Sequence, residues 1–229
     1  MPFDFSEGEI LLINKPYQWT SFDVVNNFRY FLKSKQGIKK IKIGHAGTLD
    51  PLATGLLILC TGKFTKKIEE FKAFDKEYTG VFTLGATTPS FDLETEIDHR
   101  FPLNRISEQR IRETALRFTG EQMQVPPRFS AVKIKGKRAY EFARGEEEVK
   151  LAPRPVEISA FEITRIEMPD LHFRIVCSKG TYIRALARDF GQRLKNGAYL
   201  SALCRTRIGP YHIRDAWELE DLKSSLSPG

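Results

Sequence analysis

Apolar residues along this chain recur with two periods, about two and about 3.6, and the switches between them mark out its elements. Ile10-Leu11-Leu12-Ile13 predicts a short strand that stops at Asn14-Lys15-Pro16. Ser21 is placed to cap a helix on which Val24, Val25, Phe28, Phe31 and Leu32 share one face. Leu56-Leu57-Ile58-Leu59-Cys60 reads as a buried strand. From Lys76 to Leu84 the pattern alternates, with Tyr78, Phe82 and Leu84 on one side and Glu77, Thr79 and Thr83 on the other. Ser107 caps a further helix, Ile106 and Ile111 have the spacing of a hydrophobic staple, and Gly120 is placed to end it. Val156–Ile166 and Leu171–Cys177 predict two strands joined at Met168-Pro169-Asp170. Ile183, Leu186, Ala187, Phe190 and Leu194 form the buried stripe of an amphipathic helix that stops at Asn196-Gly197. A last strand at Ala198–Ile208 and a helical turn or two at Ala216–Leu222 complete the pattern. Strands and helices interleave without a strict βαβ rhythm, which predicts an α+β fold with a mixed sheet.

Composition narrows the class. The 229 residues are 41% hydrophobic and 28% charged, the balance of a globular protein able to bury an ordinary core. No apolar stretch approaches a membrane span, and Met1-Pro2-Phe3-Asp4-Phe5 lacks the order of a signal peptide, so a cytoplasmic protein is expected. Cys60, Cys177 and Cys204 lie far apart in apolar runs and are expected as buried free thiols. Neither they nor His45, His99, His172 and His212 show metal-ligand spacing, so no metal is expected. The net charge of +7 favours a polyanionic partner, and its distribution says more. Residues 128–154 carry eight basic side chains against four acidic ones, and a second basic run spans Lys33 to Lys42. Residues 122–154 are basic and proline-containing, and predict a hairpin-like insertion with a short helix at Ala139–Arg144.

Chemistry concentrates at Gly44-His45-Ala46-Gly47-Thr48-Leu49-Asp50-Pro51-Leu52-Ala53-Thr54-Gly55. Glycines and a proline fix a tight loop that presents one carboxylate and one imidazole just ahead of the buried strand. The string closely resembles the catalytic motif of the TruB family of tRNA pseudouridine synthases. Three more stretches match that family in order: Asp75-Lys76-Glu77-Tyr78 with Leu84-Gly85, Val125 to Gly136, and Cys177-Ser178-Lys179-Gly180-Thr181-Tyr182-Ile183-Arg184. The resemblance covers almost the whole chain.

It implies a pseudouridine synthase fold, a mixed and mainly antiparallel central sheet flanked by helices, with an RNA-gripping thumb at about 122–154. It also implies one catalytic domain over 1–229 that lacks the family's C-terminal PUA-type module. The reaction breaks the N1–C1′ bond of a uridine, turns the base and rejoins it through C5, with no cofactor. Asp50 is the implied nucleophile, with attack at C1′, attack on the uracil ring and a glycal route begun by C2′ deprotonation all open. Arg184 is its implied guanidinium partner, and Tyr78 the aromatic that stacks on the flipped uracil, with proton transfer as a second role. His45, Tyr182 and Leu203 are implied in nucleotide binding, and Lys15, Lys66 and Lys179 as phosphate-binding or site-shaping groups. Arg128, Lys133, Lys135 and Arg144 are the candidate RNA-backbone contacts. The implied substrate is the T-stem-loop of tRNA, the target its uridine 55, and the implied state a monomer acting without a guide RNA or membrane. Two other readings are an RNA-binding or tRNA-folding module without catalysis, and a guide-RNA-directed relative.

Overall fold

The computed structural model describes residues 3–38, 40–104, 106–130 and 151–227, with the backbone of 133–134 and 137–138. It is an α+β fold, a mixed sheet flanked by helices. The chain forms two compact units, 1–78 with 203–229 and 79–202.

In the first unit the strands β1 (Ile10–Lys15), β3 (Ala53–Thr61) and the second half of β12 (Ala198–Ile208) lie side by side. β1 pairs antiparallel with β3, and Leu203 to Arg205 pair parallel with Ala53 to Gly55. The short β2 (Ile43–His45) pairs with the far end of β3, and β13 (Tyr211–His212) with β12. The continuous apolar run in β3 has a direct cause: both its faces are dry. Leu57 and Leu59 join Val24, Val25, Phe28 and Leu32 of helix α1 (Ser21–Lys35), while Leu56, Ile58 and Cys60 face Phe71 and Ile208. Phe71 belongs to α2 (Ile68–Ala73), which follows a 3₁₀ turn at Gly62–Lys67. The C-terminal helix is Leu219–Leu226, later than expected, and its Leu219 and Leu222 pack on the α1 side.

Helix α1 corrects one expectation. Its cap is Thr20, whose hydroxyl accepts from the Asp23 amide while the Asp23 carboxylate accepts from the Thr20 amide. Ser21, 1% exposed, is thereby released for a partner elsewhere.

The second unit orders its strands β12, β4 (Lys76–Leu84, from Thr79), β11 (Asp170–Cys177), β10 (Arg154–Glu167) and β7 (Gly120–Gln124). β10 runs antiparallel to both β11 and β7. Two small hairpins accompany them, β5 (Ala86–Thr87) with β6 (His99–Arg100), and β8 (Lys133–Ile134) with β9 (Lys137–Arg138). Phe82, Phe118, Phe161, Phe173 and Phe190 form an aromatic core, with ring centroids from 4.3 to 6.3 Å apart. Helix α3 (Glu108–Leu116) starts at the predicted Ser107 cap. It ends at Leu116, and Gly120 instead opens β7 with φ of +103°. Gln122 to Gln124 and Arg154 pair within the sheet, so strands bound the basic segment at both ends. The helix expected at Ala139–Arg144 lies outside the described residues. Helix α4 (Ile183–Arg193) buries the predicted stripe together with Arg184 and Ala185.

Candidate active site

The loop between β2 and β3 carries Asp50, and groups distant in sequence hold it from three sides. The buried Ser21 hydroxyl accepts from the Leu49 amide at 2.9 Å and donates to the Leu49 carbonyl at 3.3 Å. Lys15, fully buried, donates its ammonium to the carbonyls of Pro16 (2.9 Å), Trp19 (2.5 Å) and Pro51 (3.3 Å). Arg205, 1% exposed, donates to the Leu56 carbonyl at 2.8 Å and the Gly47 carbonyl at 3.1 Å. Charge-assisted bonds to carbonyls are strong where water is excluded, so the backbone on either side of Asp50 is tightly placed. Asp50 itself is half-buried.

Burial lowers the Lys15 ammonium from 10.5 to about 8, against the attraction of Asp50; Arg205 lowers it further. Burial also lowers His45, against a hydrogen bond with the Gly47 backbone, so its imidazole is neutral at pH 7. The buried His45 Nδ1 has no hydrogen-bond partner among the described residues. Tyr78 is buried in β4. Leu203 is half-buried in β12, where its carbonyl accepts from the Thr54 hydroxyl at 3.4 Å.

In the second unit Arg184 is 4% exposed, far from the surface helix residue that position alone would suggest. Its Nε lies 3.4 Å from an Asp92 carboxylate oxygen, and its other nitrogens donate to the carbonyls of Ser90 (3.4 Å) and Phe129 (2.9 Å). Tyr182, just before α4, is fixed through its backbone: its amide donates to Gln124 Oε1 at 2.8 Å, and its carbonyl accepts from Gln124 Nε2 at 3.2 Å. Ser21, Arg205, Gln124 and Asp92 are the members that sequence reasoning missed. Arg205 lies two residues after the matched Leu203, the one signal that could have found it.

The remaining candidates fall differently. Lys66 is exposed and, with Lys40, Lys42 and Lys63, lines a cavity of about 310 Å³. Lys179 is exposed in the turn before α4, and Arg128 is exposed. The Lys133 side chain, Lys135 and Arg144 lie outside the described residues. Cys60 and Cys177 are buried and in no disulfide, while Cys204 is only half-buried. No helix among the described residues is long and apolar enough to cross a membrane.

The family model described as TruB family pseudouridylate synthase, N terminal domain, matches residues 33–183. The chain belongs to the TruB family. Proteins named tRNA pseudouridine synthase B are close relatives. That of Flavobacterium johnsoniae is 55% identical over 226 residues, 98% of this chain and 99% of that protein. That of Phocaeicola vulgatus is 53% identical over 223 residues, 97% and 95% of the two chains. Among solved structures, "Crystal Structure of a Cbf5-Nop10-Gar1 Complex" contains a chain 28% identical with a TM-score of 0.73, covering 96% of this TruB-family chain. This chain spans 54% of that one. As a TruB-family member the protein is an isomerase of the pseudouridine synthase fold.

Proposed function

We propose that this chain converts the T-loop uridine 55 of tRNA to pseudouridine, in the cytoplasm, as a monomer and without a guide RNA. The observation that carries this reading is the Asp50 loop, whose flanking backbone three buried groups hold (Ser21, Lys15 and Arg205). A carboxylate that must attack one atom of a flipped nucleotide gains most from a support fixed before the substrate arrives. The near-full-length relatives named tRNA pseudouridine synthase B support tRNA as the substrate.

In this mechanism the target uridine leaves its stack at a cost of a few kcal/mol, which base stacking and edge hydrogen bonds offset. Tyr78 supplies the stacking face, and Leu203 and Tyr182 are further candidate contacts to the nucleotide. The neutral His45, its Nδ1 unbonded among the described residues, meets the displaced nucleotide. Asp50 acts as the carboxylate nucleophile, and the bond it forms is broken again when C5 bonds to C1′. The N1–C1′ bond breaks, the uracil turns, C5 bonds to C1′, and the C5 proton leaves while N1 gains one, so the product is an isomer of the substrate. Arg184 is the guanidinium of this reaction. Lys66, Lys179 and Arg128, with Lys133, Lys135 and Arg144 of the basic segment, meet backbone phosphates. That segment takes the part of the family's thumb.

Pseudouridine mapping by mass spectrometry, after incubating the purified protein with unmodified tRNA and no guide, tests the reading. Wild type is expected to modify the T-loop uridine. Asp50→Asn is expected to lose turnover while binding RNA within several-fold of wild type. No product from wild type, or multiple turnover by Asp50→Asn, would overturn the assignment.

A further inference from the structure

Two arginines one turn apart on α4 grip the same two stretches of chain. Arg184 reaches Ser90 and Asp92 on one side and the Phe129 carbonyl on the other. Arg188 lays its guanidinium over the Phe91 ring, 5.0 Å from the centroid, and donates to the Val125 carbonyl at 3.0 Å. Asp189 orients it through a 2.7 Å contact to Nε. The lower rung thus touches residue 91, between the two that Arg184 binds, and the start of the stretch whose end Arg184 binds.

Both stretches are built to hold a set shape. Phe91 has φ of +63°, a left-handed conformation that is rare for a bulky aromatic and persists only where its surroundings over-determine it. Its amide donates to the Thr88 carbonyl at 3.1 Å and its carbonyl accepts from the Leu200 amide at 2.9 Å. The Asp92 carbonyl accepts from the hydroxyls of Thr88 (2.7 Å) and Ser90 (3.3 Å). The second stretch, Val125-Pro126-Pro127-Arg128-Phe129, is stiffened by two prolines with fixed φ. The backbone from Val125 to Pro127 therefore has few conformations, and it leads directly to Phe129.

We infer that Arg188 is a positioning residue for the isomerisation: stacked on Phe91 and bonded to Val125, it holds in place the Asp92 carboxylate and the Phe129 carbonyl that aim Arg184. This rests on the reading of Arg184 as the guanidinium of the reaction.

The test uses Arg188→Met, which keeps the stem and loses the guanidinium, with Phe91→Leu and Asp92→Asn, alone and combined. Single-turnover rate on saturating tRNA transcript, RNA affinity and thermal midpoint are read for each. Arg188→Met and Phe91→Leu should each lower the saturated rate about tenfold, the scale of removing one cation–π or charge-assisted interaction. RNA affinity should stay within about twofold, and the double variant should be no slower than Arg188→Met alone, which already removes both the Phe91 stacking and the Val125 bond. Adding Arg188→Met to Asp92→Asn should cost less than it does in wild type, because only the Phe129 carbonyl is then left to position, a result that general destabilisation would not give. Arg188→Lys, which keeps the charge but not the planar fork, should fall between wild type and Arg188→Met, and serves where Arg188→Met does not fold. A full saturated rate in Arg188→Met or Arg188→Lys, or effects that multiply in the Asp92→Asn background, would overturn the inference. If wild type makes pseudouridine and Asp50→Asn does not, such a result removes the role of Arg188 alone; an inactive wild type removes both readings.

Discussion

Lys15 shows how one buried group can tie a loop and leave a mark on stability. Below pH 8 it is charged in both folded and unfolded chains, and its desolvation weighs fully on the fold. Between pH 8 and 10.5 the unfolded chain still holds a proton that the folded chain has released. More protons on the unfolded side means stability rising with pH across that window, by at most about 3 kcal/mol. Unfolding free energies of wild type and Lys15→Met, measured across it, isolate the group. Wild type should gain on the variant as pH rises, and parallel profiles would show an ammonium still in touch with water. Tyr78 poses a different question. Tyr78→Phe keeps the stacking face and Tyr78→Leu loses it along with the hydroxyl. If stacking alone matters, single-turnover rates should be near normal for Phe and poor for Leu, on the scale of about 1–3 kcal/mol per stacked base. A Phe variant slowed by orders of magnitude at unchanged affinity would instead assign the hydroxyl a proton transfer.

Among the elements, β3 was legible because a strand dry on both faces must be apolar at every position, and Leu56 to Cys60 are. Its start was less so. Gly55 has φ of +105°, and a Cβ there would stand 2.4 Å from the Arg205 carbonyl oxygen. Gly37 has φ of +68° with nothing within 4 Å. Gly37→Ala should therefore show conformational strain alone, about 1–2 kcal/mol, and Gly55→Ala that strain plus overpacking, about 2–5 kcal/mol in total. Urea unfolding of both variants separates the terms, and equal losses of stability would mean that β3 and β12 have room to part. Helix α4 shows the limit of periodicity. Its apolar stripe was read correctly, but Arg184 is buried beside it because Asp92 and two carbonyls receive its charge. No hydropathy pattern anticipates a buried arginine.

At the scale of the molecule, the charge of +7 has its clearest consequence in salt dependence. If residues 128–154 meet RNA phosphates, replacing Lys133, Lys135 and Arg144 with alanine should weaken tRNA binding and flatten its dependence on salt. The slope of log affinity against log salt should fall by up to about 0.9 for each phosphate no longer neutralised. Chemistry on saturating RNA should change far less. Filter binding from low to high salt checks this, and superimposable curves would place the RNA elsewhere.

The sequence by itself determined the order of elements, their dry faces and the Asp50 loop, because periodicity, caps and Gly-Pro turns act over a few residues. It also determined the family, through four motifs in order. Only the tertiary structure decided which polar groups hold that loop. Ser21 reads as a helix cap until Thr20 takes that role and Ser21 meets Leu49, 28 residues away. Arg205 reads as a strand arginine until it reaches Gly47, 158 residues away. A run of apolar residues tells which surface leaves water. It does not tell which carbonyl a buried cation will find, because that partner is brought up by chain reversals far along the sequence.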